Sequence, residues 1–143
     1  MLTFLLSILF FSSNVQALSW AYPFVVWDGS VYEVKQNEPL DDQNIGKEIG
    51  AVETKPDNMT GDHYGNASNF YEIGTPYAEI QGVSPTAAIA VKDMDVWVRA
   101  VYVHKAPFHP MNLVTNPLFW GSLVFLAGIT FLILQRHHFS KKN

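Results

Sequence analysis

Two long apolar runs frame the chain, and between them hydrophobic residues alternate with polar ones. The first run, Leu2 to Phe11, is ten residues long and is followed by Ser12, Ser13 and Asn14, then Val15, Gln16 and Ala17. An apolar segment of this length with small residues at the −3 and −1 positions has the pattern of a secretory signal peptide, cleaved here after Ala17. An uncleaved signal anchor reaching Trp27 is the competing reading, but Asn14, Gln16 and Pro23 interrupt it, and ten apolar residues cross only about half a bilayer. The second run, Pro117 to Gln135, is 19 residues without a charge. At about 1.5 Å per residue it reaches roughly 28 Å, the hydrocarbon thickness of a membrane. Asn116 fits the cap of such a helix, Pro117 its first position, and Phe119 and Trp120 an interfacial aromatic belt.

Between the runs the alternation predicts short strands. Trp20 to Trp27 and Ser30 to Lys35 flank Asp28-Gly29, a hairpin signal, because Gly accepts positive φ at little cost. Pro23 lacks an amide donor and marks the first strand as an edge. Lys35 to Ile45 reads as a polar loop and Glu48 to Thr54 as a third strand, followed by a polar segment from Lys55 to Ser68. Phe70 to Ile73 and Tyr77 to Ile80 read as further strands. Ser84 to Ala88 fits one helical turn, and Asp93-Met94-Asp95 sits between the last two strands, Ile89 to Lys92 and Val96 to Val103. The sum is a mainly β fold: a small antiparallel barrel or rolled sheet, plus one C-terminal transmembrane helix. The expected organisation is a signal peptide over 1–17, an extracellular β domain over 18–103, an extended Pro-containing juxtamembrane stalk over 104–116, a transmembrane helix over 117–135 and a basic tail over 136–143.

Charge sharpens this layout. The chain of 143 residues carries a net charge of −4 and only 15% charged residues, against about 25% for ordinary soluble domains. No charge precedes Asp28, and none lies between Lys105 and Arg136. The middle segment holds all 13 acidic residues and six of the nine basic ones, a net of −7. Arg136, Lys141 and Lys142 place the tail in the cytoplasm and the β domain outside. An acidic ectodomain is a poor partner for nucleic acid. The absence of cysteine excludes disulfides, thiolate metal sites and thiol catalysis.

Three runs carry a resemblance: Ile45-Gly-Lys-Glu-Ile-Gly-Ala-Val-Glu53, Ala67-Ser-Asn-Phe-Tyr-Glu-Ile-Gly-Thr-Pro-Tyr-Ala-Glu-Ile80 and Gly82-Val-Ser-Pro-Thr-Ala-Ala-Ile-Ala-Val91. Over Val26 to Tyr102 the chain resembles a family of small uncharacterised surface-exposed proteins of Gram-positive, Bacillus-like bacteria. The resemblance implies a location in the bacterial envelope and brings no catalytic motif. Lipoprotein members would carry a lipidated Cys after the signal; this chain has none, so its helix takes the place of that anchor.

Candidate chemistry is sparse. Asp57 to Asn66 concentrates oxygen ligands and glycines, but Met59 and Gly61 occupy the third and fifth positions of the loop, against the calcium-loop pattern, so it reads as a solvated loop. His104, Lys105, Phe108 and His109 cluster before the helix and form a candidate partner contact, although Pro107 and Pro110 prevent one helix from presenting them together. Gly121, Ser122 and Gly128 offer small side chains for packing against another helix. The aromatic supply, including Trp20, Tyr22 and Phe24, serves first to fill a small core and secondly to build a glycan or peptide groove, with the first strand open to strand addition by a partner. No nucleophile elbow, phosphate loop or zinc-protease motif occurs, and no cofactor is implied. The expected function is a single-pass binding or accessory protein docked to another membrane or envelope protein. The alternative is an envelope hydrolase using His63 or His104 with an Asp or Glu.

Overall fold

A computed structural model describes residues 20–140; the expected signal peptide, with cleavage after Ala17, lies outside the described residues. The strands are β1 (Phe24–Trp27), β2 (Ser30–Leu40), β3 (Ile45–Ala51), β4 (Pro76–Ile80), β5 (Ala88–Asp93) and β6 (Val96–Lys105). They form one antiparallel sheet in the order β1-β2-β6-β5-β4-β3, rolled into a half-barrel. The helices α1 (Met111–Val114) and α2 (Pro117–Ser140) follow.

The turn chemistry accounts for the hairpins. Trp27 pairs with Ser30, which leaves Asp28-Gly29 as a two-residue turn with φ of 47° and 65°, the double positive φ that tight hairpins require. Asp93 pairs with Val96, and Met94 takes φ 51° between them. The expected helical turn also forms, as Ala87 and Ala88 both donate to the Ser84 carbonyl.

Strand ends differ from the pattern where side chains are polar on both faces. The expected loop after Lys35 is instead strand: β2 continues to Leu40 because β6 is long enough to pair with it. Lys35 pairs with Arg99 and Pro39 with Val98, so Gln36, Asn37 and Glu38 bulge out. That bulge is how Pro39 is tolerated in a strand. The third strand starts earlier, at Ile45. The expected Phe70 to Ile73 strand is absent: Tyr71 turns into the core while Phe70 and Ile73 stay exposed.

The interior is filled by Val25, Tyr32, Val34, Val52, Tyr71, Tyr77, Ile89, Val91, Val98 and Ala100. Burial pushes the Tyr71 and Tyr77 phenols well above the ordinary tyrosine range, with Asp93 and Glu53 respectively adding to it. The outer face is buried at two places, by Phe24, Val26, Val31 and Ala67 at one end and by Ala78, Ile80, Ala88 and Ala90 at the other.

The two sheet edges are brought together without a continuous ladder. Val26 donates to the Ala67 carbonyl at 2.7 Å, and Ser68 donates through its hydroxyl to the Phe24 carbonyl at 2.8 Å. Beyond β3, Glu53 and Thr54 both donate to the Asn66 carbonyl, and Ser68 N–H donates back to Thr54. Residues 66–68 therefore link β1 to the continuation of β3. The Trp27 indole donates to the Ile49 carbonyl at 3.1 Å across the same gap. A Cβ on Gly50 would stand 3.4 Å from the Trp27 ring, so the small residue lets the edges approach. These bonds correct one expectation: β1 is an edge in the strand order, but its outer polar groups are already paired, so it is not open to strand addition.

The helix α2 is long and apolar enough over Pro117–Arg136 to cross a membrane, and none of that span is buried against the chain. A core helix would be covered. Asn116 caps it by accepting from Leu118 N–H at 2.9 Å. Ser122 and Thr130 return their hydroxyls to the carbonyls of Phe119 and Leu126, which satisfies both polar groups within the helix itself. The helical backbone continues past Gln135 to Ser140.

Candidate functional site

The most distinctive surface lies where the sheet meets the helical C-terminal region. Near its end β6 carries a bulge: Val31 pairs with His104 and Tyr32 with Tyr102, leaving Val103 unmatched. In a regular strand His104 and Tyr102 would share a face. The bulge separates them, sending Tyr102 to the side of Tyr32 and His104 to the side of Val31. There His104 joins Trp20, Tyr22, Phe24, Val31, His63 and Pro107 around an apolar cleft of about 200 Å³. The aromatic walls are built edge to face, with Trp20 and Phe24 centroids 5.1 Å apart, a favourable geometry. The Phe24 and His63 rings stand 5.5 Å apart.

His63 separates this cleft from a polar one. Its Nδ1 lies 3.0 Å from the Gly61 carbonyl, and a carbonyl only accepts, so the ring proton sits on Nδ1. Its Nε2 is buried and has no hydrogen-bond partner among the described residues. On its other side a cleft of about 360 Å³ is lined by Asp28, Tyr64, Asn66, Asn112, Thr115 and Asn116 among others.

The segment expected to be an extended stalk is folded and fastened to the domain. Strand β6 runs through Lys105, whose ammonium donates to the Ser30 hydroxyl at 3.0 Å. Ala106 N–H donates to the Gly29 carbonyl, and Gly65 N–H donates to Asn112 Oδ1 at 2.8 Å. His109 Nδ1 accepts from Met111 N–H, and its ring lies 5.3 Å from Tyr64. The Trp120 indole donates to the Val114 carbonyl at 2.8 Å, tying α1 to the first turns of α2. The four residues grouped by sequence thus go separate ways. His104 faces the apolar cleft, Lys105 is held by Ser30, His109 packs on Tyr64, and Phe108 is 73% exposed.

The other candidates resolve in backbone terms. Asp57 Oδ1 accepts from Met59 and Thr60 N–H, both at 2.8 Å. The Thr60 and Met59 amides hold this carboxyl below its ordinary range. The loop is thereby closed on itself, and among the described residues no three metal-ligating side chains gather. His104 Nδ1 lies 2.7 Å from the Lys105 carbonyl. Among the described residues no carboxylate is hydrogen-bonded to His63, His104 or His109, so the pairing that would orient and activate a histidine base is not formed. Gly121 and Gly128 have nothing within 4 Å of an added Cβ, and the Ser122 hydroxyl is spent within its own helix.

Of the aromatic residues, Tyr32, Tyr71 and Tyr77 fill the core, whereas Trp20, Tyr22 and Phe24 build the cleft. Sequence reasoning missed Val31 and Pro107 as its walls, and Asn112 and Trp120 as fasteners. The readable signal was an aromatic excess before Pro23; the rest depends on the Val103 bulge. No protein-family model matches this chain, and no curated protein or solved structure is significantly similar to it.

Proposed function

We propose that this chain is a single-pass binding or accessory protein of the bacterial envelope, holding its acidic β domain outside and its basic tail in the cytoplasm. The observation that carries the reading is the apolar cleft beside a folded, hydrogen-bonded junction to α2. A mobile tether would let a domain search; a fastened one presents a fixed surface near the bilayer. The cleft is concave, apolar and edged by two imidazoles, which suits an apolar side chain of another membrane or envelope protein. The charge asymmetry around the span supports the orientation, and the resemblance to Gram-positive surface proteins supports the compartment. The hydrolase alternative has no comparable observation behind it, because each ectodomain histidine bonds to backbone.

A photoreactive amino acid placed at Tyr22 in native membranes tests the reading. A discrete protein adduct at position 22, absent from the same probe at Met94 on the far hairpin, is the expected result. No adduct at 22, or equal adducts at both positions, would overturn it. An impermeant maleimide applied to intact cells tests the orientation: Met94→Cys should react from outside, and protection of that thiol would reverse it.

A further inference from the structure

We infer that residues 106–116 form a collar seated in the outer interfacial layer of the bilayer, with Phe108, Met111, Leu113 and Val114 as its lipid-facing side chains. This rests on the membrane reading of α2. The charge-free stretch runs from Ala106 to Gln135, 30 residues, whereas the span needs only about 20. The surplus is the collar. Its large apolar side chains are exposed in whole or in part: Phe108 by 73%, Met111 by 38%, Leu113 by 46% and Val114 by 47%. They lie directly against the anchor in the chain and in space, since the Trp120 indole holds the Val114 carbonyl and Asn116 caps α2.

Depth follows from helix geometry. At about 1.5 Å per helical residue, the four residues of α1, joined to α2 through the non-helical Thr115 and Asn116 at up to about 3.4 Å each, extend at most about 13 Å beyond the first residue of the span. The headgroup region adds roughly 5–8 Å on each side of the hydrocarbon. Leu113 and Val114 therefore fall within or beside that layer and Met111 toward its outer boundary, while Phe108 belongs to the collar by its exposure. The collar is bonded to the β domain at Gly29 and Gly65, so seating it fixes the height of the domain and places Pro107, a wall of the apolar cleft, next to lipid.

The chain has no cysteine, so each introduced one is a unique site for a nitroxide label. The full chain is reconstituted in phosphatidylcholine vesicles with labels at Phe108→Cys, Leu113→Cys or Val114→Cys. Leu126→Cys in mid-span and Met94→Cys, on a residue 88% exposed, serve as references. Collision with oxygen is compared with collision with a water-soluble nickel chelate. The oxygen-to-chelate collision ratio at 108, 113 and 114 is expected to lie between that at 94, where the chelate dominates, and that at 126, where oxygen dominates. A ratio at 108, 113 and 114 equal to that at 94, while 126 remains oxygen-dominated, would overturn the collar and leave the anchor standing. Chelate dominance at 126 would overturn both. Labels that are chelate-accessible in vesicles but shielded in native membranes would show that a protein, not lipid, covers this surface, which also overturns the inference. Unchanged tryptophan emission verifies that each labelled chain is folded.

Discussion

Ser68 is a small polar residue with no exposure at all, and its replacement by alanine is the most informative perturbation of the domain. Its hydroxyl donates to the Phe24 carbonyl at 2.8 Å and accepts from Tyr71 N–H at 2.9 Å and Phe70 N–H at 3.2 Å. It therefore joins β1 to the segment that leads Tyr71 into the core. Ser68→Ala removes one donor and one acceptor while retaining the backbone bridge to Val25. The Phe24 carbonyl faces away from β2, and Tyr71 N–H is buried, so neither gains a substitute from the ladder. A buried group left unpaired costs about 1–3 kcal/mol. Two such groups, with partial relaxation, put the loss at about 2–4 kcal/mol, a large part of the 5–15 kcal/mol typical of a domain. Urea unfolding of the full chain in micelles, followed by tryptophan emission, measures it by linear extrapolation. Ser84→Ala is the control: that exposed hydroxyl meets only the Thr86 hydroxyl, and the change should stay within about 0.5 kcal/mol. A loss below about 0.5 kcal/mol for Ser68→Ala would refute the assignment of edge closure to this hydroxyl.

Trp27→Phe deletes the indole bond to the Ile49 carbonyl and should cost about 1–2 kcal/mol in the same melt, more than the loss of an exposed surface bond. Asn112→Ala removes the acceptor for Gly65 N–H; faster amide exchange at Gly65 and earlier proteolytic cutting between residues 106 and 116 are expected, with the melt of the sheet shifted by about 1 kcal/mol or less. For Asp57 the pH dependence has a defined sign. Its folded value lies below the ordinary 3.8, so its contribution is present above 3.8 and is lost as pH falls through the lower folded value. Protection of the Met59 and Thr60 amides, taken relative to their intrinsic exchange at each pH, should fall over that acid range, and Asp57→Ala should abolish this pH-dependent change in protection.

Local chemistry made much of this protein readable. The Asp28-Gly29 turn, the Asn116-Pro117 helix start, the inward hydroxyls of Ser122 and Thr130 and the charge-free span follow from residues within one turn of each other. So does a mainly β domain followed by a membrane-length helix, because period-two alternation and a long apolar run are local signals. Other features were illegible for equally physical reasons. Gln36, Asn37 and Glu38 look like loop, yet the length of β6, more than 50 residues away, gives β2 a partner on both sides of their bulge. Phe70 to Ile73 looks like strand, yet Ser68 captures its amides.

The candidate site divides in the same way. Sequence placed His104, Lys105, Phe108 and His109 together and marked aromatic residues near Trp20. Tertiary structure decided which of them meet: an unmatched Val103 turns His104 toward Val31 and Trp20, while bonds to Ser30, Gly29 and Gly65 fold the supposed stalk against the domain. A bulge is a mismatch between two strands and exists only when both are paired. The composition of either strand alone carries no record of it, and the cleft it creates belongs to the fold.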